Sequence, residues 1–385
     1  MYDPYDPQVQ ADPYPSYERL RREAPVYQNE SLGFWALSRF GDVLGALHDP
    51  VTFSSASGIT IGTSADVLLP MMSMRDPPRH DRLRALVSRA FTPRSIAALE
   101  PRVVEIAEGF ADDIWNDGGG DLVKGFTEAL PTQVIAEMLG VDPGDRAFFK
   151  ERSNQLVRAN PLDRSGRQQG LEAATALYSY LGGVIEERRS APRDDLISSL
   201  LGATVDGERL TDDELVGFCF LLLVAGNETT TNLLGNALVA LDAHPWSRHA
   251  VEKRELGLPA VVEEVVRFES PVQGLARTTT SDVVVGDSSI PAGSSVLLLF
   301  ASANRDEAEF PDPDRFDPSR RLDRHLGFGH GIHHCLGAAL ARLEARAGLA
   351  CLLDRRPRYE LCDSPVDWLD SGLVRGPRTL VATVT

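Results

Sequence analysis

The sequence predicts a mainly α-helical fold with a smaller β-rich lobe, and three observations carry that prediction. Helical periodicity runs from His80 to about Leu241 with only short breaks, a β-rich stretch follows Arg277, and no segment has the composition of a flexible linker. Residues 1–385 are therefore expected to form a single domain.

The elements follow in order. Before residue 75, short helical patterns surround "GFWALSRF", whose alternation reads as a strand. From His80 the helical pattern is interrupted by turn-forming residues at "DPGD", "ANPLDRSG" and "SAPRDD". Thr211-Asp212-Asp213-Glu214 is a capping box, in which hydroxyl and carboxylate satisfy free backbone donors at a helix start. The helix it opens runs to His244, ahead of Pro245, about 50 Å at the standard rise. Residues 259–269 make another helix, ended by Pro271. "TTTSDVVVGDSSIPAGSSVLLLF" is β-rich, with turns at Gly286-Asp287 and Pro291-Ala292-Gly293. An irregular "FPDPDRFDPSRR" leads to "FGHGIHHCLG", and the strong helix "LGAALARLEARAGLACLLDR" follows at once.

Composition excludes several functions. The chain of 385 residues is 43% hydrophobic and 25% charged, as expected of a globular protein with a sizeable core. A net charge of −17 argues against nucleic acid as a partner. Four cysteines without a CxxC pair fit a reducing compartment. The N-terminus lacks the basic start and apolar stretch of a signal peptide. The longest apolar run, Leu215 to Ala225, is far shorter than the roughly 20 residues that span a bilayer. A cytoplasmic protein with no membrane insertion is expected.

Two stretches carry chemistry. The long helix is apolar nearly all round in its first half, then meets "AGNETTT", Ala225 to Thr231. One reading is a helix emerging into solvent with its threonines bonded back to their own carbonyls. The other is a site pressed against the helix, where Gly226 allows close approach while Glu228 and Thr229 handle protons. In "FGHGIHHCLG", Cys335 sits at or just before a helix start, where dipole and free amides favour a thiolate. Gly329, Gly331 and Gly337 supply the backbone freedom a tight loop around such a ligand needs. One thiolate with no clustered partner suits an iron already held by four porphyrin nitrogens. A zinc site from His330, His333, His334 and Cys335 competes, but four ligands so bunched hardly form a tetrahedron. A buried structural cysteine is a third reading; it leaves the glycines unexplained.

These residues resemble the cytochrome P-450 family of haem-thiolate monooxygenases over nearly the whole chain. "FGHGIHHCLG" matches its cysteine loop at Phe328, Gly329, Gly331, His333, Cys335 and Gly337. "AGNETT" resembles its acid–threonine helix motif, Glu264-Val265-Val266-Arg267 its Glu-x-x-Arg helix, and Pro313-Asp314-Arg315-Phe316 its Pro-x-Arg-Phe turn. The resemblance implies haem b (iron protoporphyrin IX) between the long central helix and the cysteine-loop helix, with Cys335 as axial thiolate. It assigns the haem propionates to His80, Arg84, Arg277 and His333, the haem surroundings to Ala225, Gly226, Phe328, Gly329 and Gly337, and catalysis to Glu228 and Thr229. Glu264, Arg267 and Arg315 are implied to form a buried network bracing the cysteine loop.

The likeness is to soluble bacterial members, which implies O2 as oxidant and electrons from NAD(P)H through a reductase and a ferredoxin. Six arginines (Arg75, Arg79, Arg82, Arg84, Arg89 and Arg94) face only Asp76 and Asp81 between residues 75 and 94, a basic face for an acidic donor inside an acidic chain. The pocket stretches, "GITIGTSADVLLPMMSM", the region 152–180, Leu222 to Ala225, "VQGLA" and "SGLVRG", are mostly apolar, and Met71, Met72 and Met74 suggest an adaptable wall. The expected substrate is a small, mostly apolar organic compound of the terpenoid, steroid, fatty-acyl or polyketide kind, hydroxylated or epoxidised. A peroxide-driven peroxygenase and a non-enzymatic haem sensor are the alternatives. The intact acid–threonine pair speaks against both.

Overall fold

The computed structural model describes residues 2–61, 71–158, 164–354, 359–362 and 365–384. Residues 62–70 of the expected pocket loop and 159–163 of the expected break lie outside the described residues.

The chain first forms helices α1 (Pro7–Ala11), α2 (Tyr14–Glu23), α3 (Phe40–His48) and α4 (Arg79–Ser88). Next come α5 (Pro93–Asn116), α6 (Ala129–Met138), α7 (Arg146–Arg158), α8 (Arg164–Ser190) and α9 (Leu196–Gly202). The last are α10 (Asp212–Ala243), α11 (Pro245–Glu252), α12 (Leu258–Phe268), α13 (Phe300–Ala303) and α14 (Ala338–Asp354).

Local chemistry sets several of these boundaries. At the start of α10, Glu214 N donates to Thr211 Oγ1 at 3.3 Å and Thr211 N donates to Glu214 Oε2 at 3.0 Å, so the capping box is closed. Thr92 caps α5 and Pro93 occupies its first turn, where a missing N–H costs nothing. Residues Leu215 to Phe220 of α10 are buried without interruption, as expected of a helix running through the interior. Helices α6, α8, α12 and α14 pack against α10, α5 packs on α14 and α6, and all share the largest apolar cluster.

The β lobe is a mixed sheet in the order β1 (Val26–Asn29), β2 (Phe34–Leu37), β8 (Ser295–Leu298), β5 (Leu275–Thr279) and β3 (Phe53–Ser54). Strand β2 lies parallel to β8, with Trp35 opposite Val296, while β8 runs antiparallel to β5, with Val296 opposite Arg277. A hairpin of β6 (Val283–Val285) and β7 (Ser288–Ile290) turns at Gly286, whose φ of 56° suits the expected Gly-Asp turn. The mainly helical architecture with a smaller β lobe is thus the one the sequence predicts.

Two elements differ from expectation. The stretch "GFWALSRF" is a strand only to Leu37; Phe40 already opens α3, where Asp306 Oδ2 accepts its N–H at 2.7 Å. Strand β4 (Gly119–Asp121), inside the part read as helical, pairs with β10 (Val381–Val384), which also pairs with β9 (Tyr359–Leu361). Glycines carry no periodic signal, and this ladder joins residues some 260 positions apart. Among the described residues no helix is long and apolar enough to cross a membrane.

Candidate active site

The cysteine loop is closed by its own backbone. Cys335 N donates to Phe328 O at 2.9 Å, His334 N to Gly331 O at 3.1 Å, and Gly329 N to Leu326 O at 2.9 Å. Gly329 and Gly331 have φ of 66° and 67°, which side-chain-bearing residues rarely adopt. A Cβ on Gly331 would stand 2.4 Å from the carbonyl oxygen of Leu47, so the loop docks on the end of α3 through this glycine. Gly337 differs from expectation: it has neither a positive φ nor a close neighbour, and the tight turn does not depend on it.

The Cys335 side chain is accessible although protein atoms surround it closely. Burial pushes its thiol pKa up. The backbone amides of Gly337 and Ala338 at the start of α14, and the guanidinium groups of Arg84 and Arg342, pull the other way by favouring the thiolate. Arg342 lies over the ring of Phe328 at 4.3 Å and is held by both oxygens of Glu263 at 2.5 and 2.9 Å. Sequence reasoning missed this pair; its signal was an arginine on the helix that follows the cysteine and an acid beside the Glu-x-x-Arg motif.

A buried basic group lies next to the loop. His80 of α4 is buried, its Nδ1 3.0 Å from Asp81 Oδ1 and its Nε2 without a hydrogen-bond partner. Its ring lies 4.3 Å from that of His333, whose Nε2 is 3.2 Å from Ser55 Oγ. Burial, with Arg277, His80 and Arg84 nearby, holds the pKa of His333 down to about 3. Arg277 of β5 is buried and donates to Ala276 O at 2.8 Å; burial lowers its pKa to about 10, and Asp76 offsets this only in part. Asp76 in turn accepts from Ser54 Oγ and Ser55 N at 2.5 and 3.0 Å. Two guanidinium groups and two imidazoles, gathered here with few anions, offer hydrogen-bond donors and positive charge to carboxylates.

The histidines of the zinc reading point apart. His330 Nδ1 meets His48 Nε2 at 2.7 Å on the outer side, while His333 turns inward to His80. Among the described residues no three His, Cys, Asp or Glu side chains are placed to share a metal ion.

The polar interruption of α10 forms a second group. Thr229 Oγ1 donates to Ala225 O at 2.6 Å, the back-bonding that the first reading of this stretch expects. Glu228 is half-buried, no ion pair engages it among the described residues, and burial raises its pKa to about 7. The close neighbour of Gly226 is protein: a Cβ there would meet Ile135 Cδ1 at 2.9 Å.

The Glu-x-x-Arg pair is fully buried, both side chains at 0% exposure, with Arg267 Nε and Nη2 donating to Glu264 at 2.8 and 2.7 Å. Arg267 also donates to the carbonyls of Asn304 at 2.9 Å, Pro313 at 2.8 Å and Arg315 at 3.2 Å. Asn304 Oδ1 accepts Leu326 N at 2.7 Å, which carries the network to the cysteine loop. Arg315 differs from its expected role. Its side chain is 68% exposed, 3.6 Å from Asp317, and it serves the network only through its backbone carbonyl. The turn presents its backbone inward, and the guanidinium beside Glu264, at 3.6 Å, is that of Arg320.

The basic face is smaller than the sequence count suggests. Arg79 pairs with Glu214 and Arg82 with Glu208, both acids from beyond the 75–94 stretch. Arg75, Arg89 and Arg94 are exposed.

The cytochrome P-450 family model matches residues 256–365, which hold the Glu-x-x-Arg helix and the cysteine loop. The vitamin D(3) 25-hydroxylase of Pseudonocardia autotrophica is 41% identical over 384 residues, 97% of this chain and 94% of its own. The chain belongs to the cytochrome P-450 family. A solved cytochrome P-450 from Chondromyces apiculatus is 45% identical, covers 100% of this chain and 98% of its own, and superposes with a TM-score of 0.93. A Bacillus megaterium relative crystallised in complex with testosterone is 37% identical, covers 97% of this chain and 99% of its own, and gives 0.89.

This P-450 is a monooxygenase, and haem with its iron is inherent to the family. The residues present fit that group. The partnerless Nε2 of His80 and the buried guanidinium of Arg277 can receive haem carboxylates, and the Cys335 thiol is met by two amides at a helix start.

Proposed function

We propose that this P-450, a single catalytic domain over residues 1–385 working in the cytoplasm, inserts one oxygen atom of O2 into a small, mostly apolar organic substrate by hydroxylation or epoxidation. The observation that carries the reading is the Cys335 thiol at the start of α14 near the buried His80 and Arg277 and the half-buried Arg84 and His333. Haem b, bound through a cysteine thiolate, supplies the activation of O2.

The chain's residues do the rest. Cys335 holds the iron, with the Gly337 and Ala338 amides and Arg84 and Arg342 stabilising its charge. His80, Arg84, Arg277 and His333 hold the two propionates, and Ala225, Gly226, Phe328 and Gly329 border the haem. Glu228, with a pKa near 7, can gain and lose a proton at working pH and so pass it inward from solvent. Thr229, whose hydroxyl bonds Ala225 O here, would turn that hydroxyl to hold a water and relay a proton through its Oγ1. The network of Glu264 and Arg267 through Asn304 to Leu326 fixes the loop.

Satisfied polar groups favour an apolar substrate. In the pocket stretch "VQGLA", the side chain of Gln273 bonds Tyr17 Oη at 3.0 Å and Ser270 O at 2.7 Å. In "SGLVRG", Arg375 is buried against Glu269 and stacks 3.8 Å over Trp368. Each is engaged within the protein, which leaves apolar surface for the ligand. Two relatives, one named for vitamin D(3) and one crystallised with testosterone, support a steroid-like size and polarity. Electrons come from NAD(P)H through a reductase and an acidic ferredoxin docking over Arg75, Arg89 and Arg94.

A reconstituted assay tests the reading. Steroids, terpenoids and fatty acids are screened for a haem spin-state shift, then incubated with NADH, ferredoxin and reductase. Product that depends on NADH and O2 supports a monooxygenase; product formed only with added hydrogen peroxide would make it a peroxygenase.

A further inference from the structure

We propose that Thr132 of α6 is a positioning residue for the proton-handling pair Glu228 and Thr229, acting through Asn227; this rests on the roles just given to that pair. Asn227, between Gly226 and Glu228, is 2% exposed, and a buried amide must find partners inside the protein. Its Oδ1 accepts from Thr132 Oγ1 at 3.0 Å and lies 3.5 Å from Thr231 Oγ1. Thr132 is buried as well and shares its hydroxyl proton with Glu128 O of its own helix at 2.7 Å. One turn along the same face of α6, Ile135 reaches Gly226, with its Cδ1 2.9 Å from where a Cβ would sit.

Helix α6 therefore touches two successive residues of the interruption, one by apolar contact and the other by a hydrogen bond. Successive residues on a helix point about 100° apart, so holding both fixes the rotation and height of α10 at that place. The directions of the next two side chains, Glu228 and Thr229, follow. This control matters here because the stretch has little of its own. Gly226 is a weak helix former, and the hydroxyl of Thr229 competes for the Ala225 carbonyl. Gly226 thus admits a side chain of α6, and Asn227 after it carries the anchor.

Thr132→Val keeps the shape and removes the hydroxyl; Thr132→Ser keeps the hydroxyl. The holoenzyme is assayed with testosterone, or with whichever compound of the panel shifts the spin state most. In Thr132→Val, product per NADH is expected to fall roughly three- to tenfold, part of the effect of losing a positioned group outright. Peroxide should rise to match, and the pH midpoint of turnover set by Glu228 should move. The carbon monoxide band and the substrate-binding constant should stay within about twofold of wild type, since neither depends on the rotation of two side chains. Thr132→Ser should restore coupling. Asn227→Ala should lose coupling at least as much as Thr132→Val, since it also gives up the contact to Thr231, and the double variant should be no worse than Asn227→Ala, because Thr132 acts only through Asn227.

Unchanged coupling and pH midpoint in Thr132→Val overturn the proposal, as do additive losses in the double variant or failure of Thr132→Ser to rescue. If Thr132→Val does not hold haem, Asn227→Ala and Thr132→Ser decide by the same readouts. Thr229→Ala is run alongside: if it too leaves coupling unchanged, the roles of Glu228 and Thr229 have failed, and not merely the anchor.

Discussion

Thr229 donates its hydroxyl proton to the carbonyl of Ala225, 2.6 Å away and one turn back along α10. A hydroxyl so engaged is held in a known place and can exchange that carbonyl for a water at little cost. In Thr229→Ala, substrate binding and NADH consumption are expected to stay near wild type while product falls and hydrogen peroxide rises. Glu228→Gln should instead slow the whole cycle. Burial raises the Glu228 pKa to about 7, so the carboxyl is mostly protonated below that pH and ionised above it. Wild-type turnover should decline as pH rises through about 7, and Glu228→Gln should be slower and flat across that range. Product and peroxide per NADH, measured from pH 6 to 8.5, check both.

The brace behind the cysteine loop separates two arginines that the sequence groups together. Arg267→Leu leaves Glu264 buried without its partner, which costs about 3–5 kcal/mol. A lowered Tm and loss of haem on purification are expected. Arg315→Ala keeps the only group Arg315 gives the network, its carbonyl, and should change stability by less than about 0.5 kcal/mol.

What the sequence made legible was local, or carried by motifs. The capping box at Thr211, the helix after Cys335, the Gly286 turn and the family itself are all short-range patterns, and all are present in the fold. The pairing of β4 with β10 was hidden because it joins glycines to a strand across most of the chain. The motif arginine Arg315 showed its position but not which of its atoms faces inward. Ile135 and Thr132, which meet the polar interruption of α10, belong to a helix with no motif at all, and only tertiary packing reveals them.

Glu344 of α14 should make stability depend on pH. It is 2% exposed, its Oε2 has no partner, and burial raises its pKa to about 8. An acid with a raised folded pKa contributes stability fully below its unfolded value, near 4.5, and loses it as pH rises to about 8. Glu344→Gln should therefore raise Tm relative to wild type at pH 9, with the difference shrinking towards pH 5. Equal shifts at both pH values would mean that the carboxyl does not titrate in this range.

Docking of the electron donor should depend on the exposed arginines alone. Arg89→Glu with Arg94→Glu is expected to slow haem reduction by an acidic ferredoxin and to weaken its salt dependence, without changing substrate binding. Arg79 and Arg82 are already paired with Glu214 and Glu208, so charge reversal there disturbs the start of α10 as well. Stopped-flow reduction at several salt concentrations makes the comparison.

The most direct test of the site is the absorption spectrum of the reduced, carbon-monoxide-bound protein with and without Cys335. Thiolate ligation red-shifts the Soret band, and an alcohol is not acidic enough to replace the thiolate. Wild type is expected to show the red-shifted band and Cys335→Ser to lose it entirely. A red-shifted band that survives in Cys335→Ser, or is missing from wild type holding a full complement of haem, would contradict the assignment of Cys335 as the iron ligand.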